Sequence, residues 1–259
     1  MSFPIVSKQE IIQKLEKVGV EKGDIIYVAS FMPIMGNSPT ILDDTNNALI
    51  EAVGDQGTVI MPVFNWDYCH GSIFDPLETV SQVGILTENF RRRRGVLRNI
   101  SPPWCTYAAA GKKAGEIAEI NGTSAFGSDG VSQYLLDENV RYVLIGCNYN
   151  DSVIHVHWLE EKFEVPYRYW KQFKGKVRIN SEIINNVSYM YARRLDVDTR
   201  IDSHRLTSEF EKTGKVKIEK IGLGELRSFR AKDYVEFIAP YFENDRLAVL
   251  LPEVRKYFE

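Results

Sequence analysis

His157 and Glu160 stand three residues apart in the run Ser152-Val-Ile-His155-Val-His157-Trp-Leu-Glu160-Glu161. In a helix, positions i and i+3 share one face, so this spacing lets a carboxylate hold an imidazole. Histidine is the side chain whose unperturbed pKa lies near neutrality, and beside a carboxylate it suits taking a proton from a substrate. Ser152 adds a hydroxyl at the head of the run. The expected catalytic pair is therefore His157 as base and Glu160 as its partner. His155 is the alternative base.

Two other readings of these residues stay open. One is an ordinary helix start with a satisfied histidine and solvated glutamates. The other is a metal site, because His155-x-His157 followed by Glu161 looks like a cupin-type ligand set, a donor mix that suits a non-haem metal. The glycines that flank such a motif are missing, with Tyr149 and Arg168 in their places. No metal is expected.

Several elements must carry this run. Ser7-x-x-Glu10 is a capping box that opens a helix with Ile11, Ile12, Leu15 and Val18 on its apolar side. Ile25–Ala29, Thr58–Phe64 and Tyr142–Ile145 are continuous apolar runs of buried-strand length. Between them fall a helix carrying Ala48, Leu49, Ala52 and Val53, another over 86–93, and one more near 130–136. Such alternation predicts an α/β fold with a mostly parallel central sheet covered on both faces, a three-layer α/β/α arrangement. Beyond Arg168 the character changes: 174–192 and 215–221 alternate as antiparallel or edge strands, and helices are expected near 225–238 and 246–257. No Gly/Ser/Pro linker interrupts residues 1–259, so a single domain with a C-terminal antiparallel and helical elaboration is expected. Ligands of such sheets bind beyond the carboxyl ends of the strands, which places the loops after Ala29, Phe64 and Ile145 at one cleft.

Composition narrows the function classes. A net charge of −3 supplies no basic field for nucleic acid. Arg91-Arg92-Arg93-Arg94 is the local exception and reads as the cationic end of a helix, with an anion site as the alternative. Cys69, Cys105 and Cys147 fit no zinc or disulfide spacing. No apolar segment reaches signal-peptide or membrane-spanning length, which points to a reduced cytoplasmic protein without membrane partners.

With these pieces in order, the chain resembles the aminoglycoside 3-N-acetyltransferase family. The resemblance is carried by Gly23-Asp24, Ala48-Leu49-x-x-Ala52-Val53-Gly54-x-x-Gly57-Thr58-Val59-x-Met61-Pro62-x-Phe64 and Phe74-Asp75-Pro76. It continues through Gly84-x-Leu86-x-Glu88-x-Phe90-Arg91, Ala108-Ala109-x-Gly111, Phe126-Gly127 and Leu144-Ile145-Gly146. It closes with His157-x-x-Glu160, Val165-Pro166-Tyr167 and Gly222-Leu223-Gly224. It implies an α/β/α-layered, coenzyme A-dependent N-acyltransferase that takes acetyl-CoA or another short acyl-CoA and no metal. It further implies that Ser30, Phe31 and Gly36, with Phe64, lie along the pantetheine. The 37–40 helix start offers free amides to phosphate.

The chain departs from the family at three places. Ala29-Ser30-Phe31 stands for the usual His-Ser-Ser, Arg98-Asn99-Ile100-Ser101-Pro102-Pro103 replaces a segment with a histidine, and Ile154 replaces a threonine that Ser152 can cover. These changes spare the His–Glu pair and bear on the acceptor. For a polycationic aminoglycoside, Asp67, Asp75 and Glu160 would supply the site. For an anionic nucleotide-linked amino sugar, Arg91, Arg98 or Arg168 would. Trp66, Tyr68 and Trp158 are candidates to stack on the sugar, with core packing as their other role, and Asp75 is equally a turn cap beside Pro76. The expected acceptor is the nucleotide-linked amino-deoxysugar of polysaccharide biosynthesis. The aminoglycoside is the alternative, and a family member that binds without turnover is a third reading. No cysteine lies within motif distance of a histidine, so direct transfer is expected over an acyl-cysteine. A homo-oligomer is compatible with the sequence.

Overall fold

The computed structural model describes residues 5–149 and 152–258. Its strands are β1 (Ile25–Ser30), β2 (Thr58–Pro62), β3 (Leu97–Arg98), β4 (Tyr107–Gly111), β5 (Arg141–Ile145), β6 (Arg168–Ile179), β7 (Glu182–Arg193), β8 (Lys217–Ile221) and β9 (Gly224–Arg230). Its α-helices are α1 (Lys8–Lys17), α2 (Ile41–Val53), α3 (Ile85–Arg91), α4 (Ala114–Glu119), α5 (Val131–Asp137), α6 (His155–Lys162), α7 (Ser203–Lys212), α8 (Ala231–Asn244) and α9 (Pro252–Arg255).

Seven strands form one sheet in the order β3-β4-β2-β1-β5-β9-β8. The three apolar runs lie at its centre, where β1 pairs parallel with both β2 and β5. Antiparallel strands extend this parallel core on both sides: β4 on β2, and β9 on β5. Side chains alternate across the sheet with period two. Ile26, Val28, Val59 and Val143 join one core with Ile11 and Leu15 of α1, Leu49 of α2 and Phe90 of α3. Tyr27, Ala29, Ile60 and Leu144 join the opposite core with Leu135 of α5, Leu159 of α6 and Ile238 of α8. The expected α/β class, with helices on both faces, is the observed one.

Local signals set the ends of several elements. Ser7 caps α1 by accepting from the Glu10 amide at 3.2 Å, as the capping box predicts. The basic run closes α3: Arg91 and Arg92 both bind Glu88, at 2.7 and 2.6 Å, and Arg93 reaches Asp43 at 3.2 Å. These cations are structural. Residues 168–193 form a separate two-stranded hairpin with twelve-residue strands. It seats against the body where Gly175 meets Tyr68, leaving no room for a Cβ, which would fall 2.5 Å from the ring.

The C-terminal side departs from the pattern expected of its sequence. A helix from residue 225 is expected, but 224–230 is β9 and the helix begins at Ala231. Leu226 and Phe229 fit a helical spacing, yet the open edge of β5 needs backbone partners, and β9 supplies them antiparallel. The helix expected over 246–257 shrinks to Pro252–Arg255. Helix α7 goes unpredicted because its buried face is carried by Leu206 and Phe210 alone. Strand β4 goes unpredicted because its Ala-Ala-Ala has weak strand preference until it is buried in the sheet.

Candidate active site

The carboxyl ends of β1, β2 and β5 open into one cleft of about 790 Å³. Ser30 and Phe31 enter it from β1, Phe64 and Trp66 from beyond β2, and Gly146 and Cys147 from beyond β5, with Tyr27 lining it as well. The three loops thus meet as strand order requires. A more open groove of about 700 Å³ runs along α7 and shares Asn148 with the cleft, but it lacks His157 and Glu160.

Helix α6 places His157 on the cleft wall with its side chain 27% exposed, and Glu160 directly behind it, fully buried. His157 Nδ1 lies 2.6 Å from Glu160 Oε2. Arg168, the first residue of β6, sends Nη2 to the same oxygen at 2.6 Å and Nη1 to the Tyr191 carbonyl at 3.0 Å. Burial alone would raise the Glu160 carboxyl. The charge of Arg168, with the hydrogen bonds from His157 and Arg168, outweighs it and holds the carboxyl below its ordinary value. An ionised carboxylate can only accept, so Nδ1 carries the proton and Nε2 keeps a lone pair. Arg168 Nη2 also sits 3.0 Å from Nδ1, but that contact is donor to donor in this tautomer. The Phe126 ring packs at 5.1 Å on the imidazole and limits its tilt.

His155 is a core residue. It is fully buried, with Nδ1 2.8 Å from the Tyr142 hydroxyl and Nε2 3.0 Å from the Ser132 carbonyl. Burial lowers its pKa to about 4, so it stays neutral. Glu161 receives the Ser124 hydroxyl at 2.6 Å. The cupin-like residues are thus engaged with separate partners, and among the described residues no group of three His, Cys, Asp or Glu is placed to hold a metal ion. Among the same residues no helix is long and apolar enough to cross a membrane.

Of the other expected site residues, Ser152, Ser30, Phe31, Phe64 and Trp66 line the cleft. The Ser30 hydroxyl is buried without a hydrogen-bond partner. Gly36 ends the short 3-10 turn Met32–Met35 and does not line the cleft. Ser38 and Thr40 spend their hydroxyls on each other and on Asp44 at the head of α2.

Asp67, Asp75 and Arg98 are held elsewhere. Asp67 is bound by Gln82 at 3.0 Å. Asp75 caps the Leu77 amide at 2.9 Å and pairs with Arg178 at 3.0 Å. Arg98 binds the Thr106 hydroxyl at 2.9 Å and the Val63 carbonyl at 2.8 Å, and lies over the Phe74 ring. Tyr68 and Trp158 are core residues. The sequence reading missed Phe126, Cys147, Arg193, Thr199 and Arg200 on the cleft wall, and missed Arg168 as the partner of Glu160. Arg168 follows Val165-Pro166-Tyr167 directly, and that adjacency was the available signal.

The model of the aminoglycoside 3-N-acetyltransferase family matches residues 27–243. Aminoglycoside N(3)-acetyltransferase III of Salmonella sp is 23% identical over 271 residues, spanning 92% of this chain and 91% of that protein. The structure of AAC-IIIb in a binary complex with CoASH superposes with a TM-score of 0.81 at 18% identity, covering 93% of this chain and 97% of that one. Sisomicin-bound AAC-VIa gives 0.81 at 19% identity, covering 93% and 99%. At these identities the superpositions speak for the fold.

Proposed function

Because this chain belongs to the aminoglycoside 3-N-acetyltransferase family, we propose that it transfers an acetyl group from acetyl-CoA to a primary amine of an amino sugar, with His157 as general base. The enzyme class, an acyl-CoA-dependent N-acyltransferase, comes with the family. The observation that carries the mechanism is the buried Glu160 carboxylate, which fixes the His157 tautomer so that Nε2 is the free nitrogen on the cleft wall.

An ammonium has no lone pair, so the amine must lose a proton before it attacks. That first proton goes to solvent. As the free amine nitrogen bonds to the thioester carbonyl carbon, Nε2 takes the next proton from it, directly or through a water, so the adduct nitrogen is neutral. The carbonyl oxygen becomes an oxyanion, for which the Ser30 hydroxyl, turned about its Cα–Cβ bond, and Ser152 are the donors. Collapse breaks the carbon–sulfur bond, and the imidazolium returns its proton to the departing thiolate. The apolar sides of Phe31, Pro62 and Phe64 suit the pantetheine arm. General-base help of this kind is worth roughly 10²–10⁴-fold.

The relatives' names favour an aminoglycoside as the acceptor over the nucleotide-linked sugar expected from sequence. One observation keeps the anionic acceptor as a second reading. The arginines on the described cleft wall that are not committed to Glu160 are Arg193 and Arg200, whereas Asp67 and Asp75 lie outside it. Thiol release from acetyl-CoA, measured with aminoglycosides and with nucleotide amino sugars, separates the two by which set turns over. His157→Ala should lose turnover a hundredfold or more and still bind coenzyme A. A wild-type rate in that variant would remove His157 from the mechanism.

A further inference from the structure

We propose that Arg168 is a positioning residue whose charge keeps the Glu160–His157 pair free of an extra proton, so that Nε2 can act as a base. The inference rests on the reading of His157 as the base. The geometry is specific. Arg168 is 8% exposed in its side chain, its Nη2 meets the very oxygen that receives His157 Nδ1, and its Nη1 is pinned to the Tyr191 carbonyl at 3.0 Å. The guanidinium therefore serves the carboxylate and does not point its charge at an acceptor.

Glu160 lies in a fully buried position, where a lone carboxylate is strongly disfavoured. Around it stand Arg168 from β6, His157 from α6, and the hydroxyls of Tyr167, Tyr191 and Tyr234. Arg168 is the permanent cation in that set. Without it, carboxylate plus neutral imidazole would leave an uncompensated negative charge, and the pair would bind one proton more readily. That proton has two resting places. On the imidazole it gives a carboxylate facing an imidazolium, with both ring nitrogens protonated. On Glu160 Oε2 it donates to Nδ1, and the ring hydrogen moves to Nε2. Either way Nε2 loses its lone pair, and the amine has no base. Hydrogen bonding alone would not produce this, so the role differs from that of a packing residue.

The test is the pH profile of kcat/KM for Arg168→Gln and Arg168→Met, with Arg168→Lys as the rescue and His157→Ala alongside. Gln removes the charge but keeps a polar amide in the buried position, so it stands as a second neutral variant should Met fail to fold. Both neutral variants should move the acid limb upward by about one pH unit or more, the size expected for an opposite charge in contact. Their activity should recover at alkaline pH, and Lys should restore the limb toward wild type. Imidazole ¹⁵N shifts give a readout independent of turnover: at a pH where wild type shows an unprotonated Nε2, the Gln variant should show it protonated. An acid limb and Nε2 titration that overlay wild type in Arg168→Gln would overturn the role of Arg168. Full turnover in His157→Ala would instead overturn the base assignment beneath it.

Discussion

Replacing Glu160 with alanine should damage stability and turnover together, and the size of each follows from its surroundings. The carboxylate has no solvent exposure, and its Oε2 is the shared acceptor for Arg168 Nη2 and His157 Nδ1, both at 2.6 Å. Alanine leaves Arg168, itself 8% exposed in its side chain, with the Tyr191 carbonyl and the His157 ring but no counter-charge. Breaking one side of a buried pair costs about 3–5 kcal/mol. At about 2 °C per kcal/mol for a chain of this size, the melting temperature should fall by roughly 6–10 °C. Turnover should fall by ~10²-fold or more, because the imidazole loses its tautomer and its orientation.

The double variant Glu160→Ala/Arg168→Met removes both charges and should recover much of the stability, with a coupling above about 2 kcal/mol in the cycle. Acid adds a second signature. The folded carboxyl lies below its ordinary value of 4.5, so its contribution is present above that value and fades as pH falls through the depressed one. The double variant should lack that acid term. Thermal unfolding of the four proteins between neutral pH and pH 3, with thiol-release assays, makes the check. A Glu160→Ala protein that melts within 2 °C of wild type, or a cycle that is simply additive, would refute the argument.

Two further outcomes are expected. His155 has its pKa lowered by burial from 6.5 to about 4, so its contribution is present above pH 6.5 and is lost as pH falls toward 4. His155→Gln should flatten the acid loss of stability in that window by up to about 3 kcal/mol, and an unfolding profile parallel to wild type would contradict this. Ser30→Ala removes a buried hydroxyl that has no partner to lose, so its melting temperature should hold within 2 °C while kcat drops roughly tenfold to a hundredfold. Equal kcat would take Ser30 out of the oxyanion site.

Residues that act through their neighbours in sequence were readable before the structure. The dyad is one helical turn, so three-residue spacing alone predicts the contact between His157 and Glu160, and an apolar run of four or five residues is enough to announce β5 or β1. Residues that act across elements were not readable. Arg168 is eight positions from Glu160, on a different element, and no helical or strand period links them. Asp67, Asp75 and Arg98 have the chemistry of a sugar site, yet Gln82, Arg178 and Thr106 claim them in the fold. Residue type shows what a side chain can do, while only the partners it finds show what remains available.

The same principle explains why the tail motif Gly222-Leu223-Gly224 bears on the cleft although it does not line it. Gly222 has φ +55, and a Cβ there would fall 2.1 Å from the Ile34 carbonyl oxygen. The Leu223 amide binds that carbonyl at 2.8 Å. Ile34 lies in the 3-10 turn that follows Phe31, so the β8–β9 turn clamps the segment leading out of Ser30 into the cleft. Gly146, just past β5, has φ +68 and meets the same Ile34 side chain. Glycine is required at 222 because the backbone must come close and at 146 because φ is positive, and the contact ties the antiparallel edge of the sheet to the parallel core. In this way the C-terminal elaboration fixes the wall on which the thioester is expected to lie.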